Sequence, residues 1–164
     1  MSWFKRSAAM PIDLASVVAP EGKLLAWATH SSGLIAVTTR SLVSIDSEAI
    51  SVALWSDSLQ AKWDPPSLTV TFQGHTDSQP TVRSWILDET SQLPRAVRDR
   101  VTSAVVVDRV FELPNAGKVR FIARKDEKRT FWSAIADDQA ASQSDIGQDE
   151  IAKAKAELRA SFGI

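Results

Sequence analysis

Between two runs of strand-like alternation stands one segment of helical period, residues 88–105, whose apolar stripe must be given a surface to cover. Leu93, Val97, Val101 and Ala104 recur at spacings of four, four and three, with Ala96 and Val105 flanking the line. That spacing puts them on one face of a 3.6-residue helix, while Arg95, Arg98, Asp99 and Arg100 fall largely off it. Thr90 or Ser91 is expected to cap the start, a side-chain oxygen accepting from an orphan backbone N–H. Pro94 suits the first turn, where its missing N–H is not needed. Asp88 and Glu89 lie just ahead, at the dipole end that favours negative charge. The β-branched run Val105-Val106-Val107 predicts a change to strand near Ala104.

Before this helix the pattern is one short strand after another. Strands are expected at 23–29, 34–39 and 41–45, the second apolar on both faces and therefore central. Ile50, Val52 and Leu54 then alternate with small residues, Leu59, Ala61 and Trp63 with polar ones, and Leu68, Val70 and Phe72 with threonines. Period-two alternation of this kind marks half-buried strands. Asp64-Pro65-Pro66 ends one of them, because proline cannot donate to a ladder. Residues 81–87 make the last strand before the helix. Three more follow it, at 105–113, 118–125 and 130–136, with a turn at Pro114-Asn115-Ala116-Gly117. In the middle one, Val119, Phe121 and Ala123 face one way and Lys118, Arg120 and Arg124 the other, so one face is expected to meet solvent or a partner.

The fold class is therefore α+β, mainly antiparallel β. Residues 1–20 read as an N-terminal arm, 21–137 as a single β domain with a C-terminal extension, and 138–148 as an acidic, Ser/Gln/Ala-rich linker. Residues 149–164 read as a terminal helix, capped by Asp149 and stopped by Gly163. Its stripe is Ile151, Ala154, Leu158 and Phe162. Behind a linker such a helix can pack on its own domain or on a second copy.

A chain of 164 residues can bury roughly 70% of its unfolded surface as one domain. It has no cysteine, so there is neither a disulfide framework nor thiolate chemistry. The net charge of −1 favours neither nucleic acid nor membrane in bulk. The distribution is uneven, however: residues 83–129 hold 11 Lys and Arg against 7 Asp and Glu, so the basic charge gathers in and after the helix. No apolar stretch is long enough to span a membrane. Lys5 and Arg6 precede the apolar stretch 8–20, but Pro11 and Asp13 interrupt it and no good cleavage site follows.

Few residues invite chemistry. The two histidines, His30 and His75, fall in predicted polar turns and are expected at the surface. No ligand spacing for a metal is present. No strand-turn-helix elbow frames a nucleophilic serine, and no glycine-rich loop offers a phosphate cradle. Neither a cofactor nor catalysis is expected. Of the six tryptophans, Trp27, Trp55, Trp63 and Trp85 fall on or beside strands and are assigned to packing. Trp132 is expected on the exposed side of its strand beside Arg120 and Arg124, as a partner anchor.

Seven short strands followed by one amphipathic helix is an order that resembles a bacterial pleckstrin-homology-like or GRAM-like domain, over roughly residues 23–104. The segment Leu34–Ile45, with Thr38-Thr39-Arg40 at its middle, looks like the strand–Thr-x-Arg–strand turn of those domains, 50–63 like their next strand pair and 68–72 like the strand after. The Trp63-Asp64 corner, the Leu93-Pro94 helix and the Trp132 strand are also similar to small actinobacterial proteins. The resemblance implies an open barrel of two nearly orthogonal sheets with the helix plugging one end. The family's phosphoinositide ligands usually meet Lys and Arg around the first hairpin, and here 29–33 contain neither. The three strands after the helix are an addition to that architecture.

The expectation is thus a cytoplasmic, non-enzymatic binding module for a protein or peptide partner. Self-association through the terminal helix is a variant of that reading. Arg98, Arg120, Arg124 and Trp132 are the expected partner-binding residues, since arginine pairs bidentately with carboxylate or phosphate. An alternative is peripheral contact with an anionic membrane through Trp3, Phe4, Lys5 and Arg6. Weak nucleic-acid binding ranks below both.

Overall fold

A computed structural model describes residues 12–47, 49–74 and 79–164. Ten strands form three antiparallel sheets among these residues. The first is a meander of β1 (Leu24–His30), β2 (Gly33–Thr38), β3 (Ser41–Asp46) and β4 (Ile50–Leu54). A single 3-10 turn at Trp55–Asp57 leads to the second, β5 (Ser58–Asp64), β6 (Ser67–Phe72) and β7 (Thr81–Ile86). The two share no ladder, so the first half is two facing sheets and not a closed barrel.

Helix α2 (Leu93–Ala104) fills the space between them, packing against β5, β1 and β2. Its buried residues include Leu93, Val97, Val101 and Ala104, the stripe read from the sequence. They meet Ile35, Val37, Leu42, Leu68, Val70 and Trp85 in one core. The start differs from expectation. Neither Thr90 nor Ser91 is the cap residue; Gln92 holds that position and makes no side-chain cap. Ser91 Oγ instead accepts from the Leu93 N–H at 3.3 Å, and Asp88 accepts from Thr90 N–H, closing the turn that leads in.

Strand β2 is buried on both faces, as its composition implies, and the second cover comes from the N-terminal arm. Helix α1 (Ile12–Val18) lies on the outside of the first sheet, where Leu14 and Val18 pack on Ala36 and Val43. The rest of the arm, including Trp3, Phe4, Lys5 and Arg6, lies outside the described residues, as does His75.

The chain leaves α2 directly into a third sheet of β8 (Val105–Leu113), β9 (Gly117–Lys125) and β10 (Thr130–Ala136), in the order β10-β9-β8. Strand β9 departs from the sequence reading toward its C-terminal end, where both faces are covered, while Lys118 stays exposed and Arg120 partly so. Val119 and Phe121 are buried on one side and Ile122 and Arg124 on the other. One cover is helix α4 (Asp145–Phe162), whose Ile151, Ala154 and Leu158 pack on Ala116, Val119 and Phe121. The other is the first half of the molecule.

The stretch expected to be a linker is ordered as helix. Asp138 caps α3 (Gln139–Gln143), accepting from Ala141 N–H at 3.0 Å. Ser144, not Asp149, caps α4 and accepts from Gly147 N–H at 3.1 Å. Gly147 is buried, and a Cβ there would run into the Ala141 carbonyl oxygen. The Glu150 carboxylate then takes both the backbone N–H and the Nδ2 of Asn115, each at 2.8 Å, tying α4 to the β8–β9 turn. Phe162 remains exposed.

Candidate functional site

Two hollows flank α2 near its C-terminal end. The first is a cleft of about 320 Å³ between α2, β5 and the inner face of the third sheet. Leu59, Ala61, Val101 and Val105 give it an apolar floor, and Arg98, Asp108 and Arg120 stand at its edge. Strand β5 has only β6 as a neighbour and is therefore an edge strand of its sheet, and its Leu59, Gln60 and Ala61 line this cleft.

Asp108 and Arg120 face each other across β8 and β9. Arg120 Nε donates to Oδ1 at 2.9 Å and Nη2 to Oδ2 at 2.6 Å. This fork holds the Asp108 carboxyl below its ordinary range, against a smaller opposing effect of burial and with help from Arg109. The same hydrogen bonds raise Arg120. Arg120 is therefore already engaged, whereas the Arg98 guanidinium is exposed and has no partner among the described residues.

Arg124 is not a surface residue and Trp132 is only partly exposed, so the structure corrects both expectations. Arg124 is wholly buried; Nη1 donates to the Gln73 carbonyl at 3.1 Å and Nη2 to Ser133 Oγ at 2.6 Å. Burial pushes its pKa down, while the Asp57 carboxylate opposes that shift. It fastens the third sheet to the segment after β6. Trp132 pairs with Ala123 across the β9–β10 ladder and packs on Val119 and Phe121 beneath α4. Arg124 pairs with Phe131 and belongs to the opposite face. Trp132, Arg120 and Arg124 therefore share no surface, and the stacking arrangement that would serve a nucleic acid is not formed by these three.

Packing tryptophans behave as expected at Trp55 and Trp85, both buried, with Trp27 and Trp63 half-buried against the cores. Trp55 Nε1 donates to the Thr38 carbonyl at 2.9 Å. The His30 side chain departs from the surface reading. It is only 4% exposed, with Nε2 3.6 Å from Asp46. No cluster of His, Cys, Asp and Glu suited to a metal occurs among the described residues. No helix among them is long and apolar enough to cross a membrane.

The second hollow is larger, about 560 Å³, and sequence reasoning did not single it out. It lies between the β2–β3 turn, the last turn of α2 and the β9–β10 turn, which contribute Arg40, Arg100, Lys125 and Lys128. Thr38 builds the first of these turns. Its buried hydroxyl accepts from the amides of Arg40 at 3.2 Å and Ser41 at 2.9 Å and donates to the Glu21 carbonyl at 2.8 Å. The side chain of Arg40 is thereby left projecting from a fixed turn. The Thr-x-Arg turn and the basic excess over 83–129 were the traces of this site in the sequence; nothing in the linear pattern joined them. Compared with protein families, with characterised proteins and with solved structures, the chain matches none.

Proposed function

We propose that the chain is a non-enzymatic binding module with a pleckstrin-homology-like core, which recognises an acidic peptide segment of a partner protein at the cleft between α2 and β5. The four-plus-three strand order with a helix between the sheets supports the core assignment. The observation that carries the ligand reading is the unpartnered Arg98 at the rim of an apolar floor. An extended peptide added to edge strand β5 gains main-chain hydrogen bonds. One apolar side chain fills the floor, and a carboxylate meets the Arg98 fork.

The test is fluorescence anisotropy with a panel of labelled peptides that combine Asp or Glu with Leu or Phe. Arg98→Glu is expected to weaken the bound members at least about tenfold, which corresponds to 1.4 kcal/mol. Equal affinity of the variant and the parent removes the cleft from the partner surface.

A further inference from the structure

The larger hollow answers to a different chemistry from the peptide cleft and is independent of it. Four cationic side chains from three separate elements, Arg40, Arg100, Lys125 and Lys128, converge on it against two carboxylates, Asp126 and Glu127. Asp126 is occupied by its own turn, where it accepts from the backbone N–H groups of Lys128 at 2.7 Å and Arg129 at 2.9 Å. None of the four cations has a side-chain partner among the described residues. Four positive charges set against two negative ones leave a net positive hollow, and a bound anion relieves the remaining repulsion.

A second observation points the same way. Ser56 lines this hollow, is only 2% exposed, and its hydroxyl has no hydrogen-bond partner among the described residues. Buried hydroxyls are nearly always partnered, and a donor set beside two guanidinium groups suits an oxyanion. Because Trp55 is locked to the Thr38 carbonyl, the turn bearing Ser56 is held against the turn bearing Arg40. The carbonyl end of α2 lies close by and opposes an anion, but its partial charge is small beside four full ones.

The number of donors selects the ligand. A carboxylate offers two oxygens and one charge, which a single guanidinium fork satisfies. A phosphate monoester offers three terminal oxygens and close to two charges. The hollow's volume falls within the range of small-molecule sites. We infer that this hollow binds a phosphate group, carried by a small molecule or by a lipid headgroup, with Arg40 and Arg100 as its principal ligands and Ser56 as a buried donor.

Titration calorimetry with pyrophosphate tests this. The parent protein is expected to bind, with affinity falling as salt rises. The double variant Arg40→Glu with Arg100→Glu is expected to weaken binding at least tenfold. Ser56→Ala is expected to weaken it severalfold, with no change in the melting temperature of the ligand-free protein. Arg98→Glu binds pyrophosphate like the parent, so loss of the peptide site leaves this result standing. Vesicles of phosphatidylcholine with phosphatidic acid identify the carrier. Binding that pyrophosphate displaces assigns the phosphate to a lipid, and binding of the free ion alone assigns it to a soluble molecule. Failure of the parent to bind pyrophosphate at millimolar concentration overturns the inference, as does equal binding by the double variant. Capture of an oligoglutamate peptide in place of phosphate also overturns it, in favour of a protein partner.

Discussion

The first two sheets and the third carry the same alternation of apolar and polar residues, yet they use it differently. In β6 the alternation means what it says: Leu68, Val70 and Phe72 are buried, and the threonines between them are only partly covered. In β9 the same alternation runs through a strand covered on both sides toward its C-terminal end, with Arg124 as buried as Phe121. The difference is the number of layers. A strand in a two-layer half needs one apolar face, whereas β9 lies between α4 and the body of the molecule. A polar residue facing a second layer needs partners for its donors, and Gln73 and Ser133 meet those of the Arg124 Nη1 and Nη2, while Nε has no partner among the described residues.

The comparison is broken most severely from the apolar side. Val97→Asp places a carboxylate at a fully buried position in the main core and is expected to cost at least about 3 kcal/mol. Urea denaturation measures it, and an unchanged midpoint would contradict the docking of α2. Arg124→Met tests the polar side. It withdraws the donors to Gln73 and Ser133 and the charge that faces Asp57, for an expected loss of about 2–3 kcal/mol. Hydrogen exchange should show the loss of protection in β9 and β10 with β2 and β3 unaffected. Uniform loss across all three sheets would mean that Arg124 holds more than the third sheet.

The smallest effect belongs to the partly exposed pair on the same face. Asp108→Asn removes the Arg120 fork and should cost less than about 1 kcal/mol at neutral pH. The sign of the pH dependence follows from the depressed carboxyl of Asp108. Its contribution is full above the ordinary value of 3.8 and is lost as pH falls through the lower folded-state value. The stability difference between parent and variant should therefore vanish in strong acid. A difference that persists there would assign the effect to something other than ionisation.

Legibility in the sequence tracked the range of the interaction. Leu93, Val97, Val101 and Ala104 are near neighbours on one helix, so their period alone placed them together. The strands announced themselves through local alternation. The start of α4 was missed by four residues because Ser144 caps it through Gly147, a glycine that reads as a breaker in a linear pattern and here allows close contact with α3. Of the four expected site residues, Arg98 and Arg120 come together at one cleft, while Arg124 and Trp132 are separated onto opposite faces of one sheet.

By itself, the sequence determined an α+β chain of short antiparallel strands around one amphipathic helix, because those features depend on neighbours within a few positions. Only the tertiary structure decided which polar residues are ligands and which are fasteners. That choice rests on the β9–β10 register and on the layers that cover it: a shift of one residue exchanges the faces, and composition is the same either way. Arg40 and Arg100, sixty positions apart, line one hollow for the same reason: the turn between β2 and β3 and the end of α2 meet only once the sheets have closed over the helix.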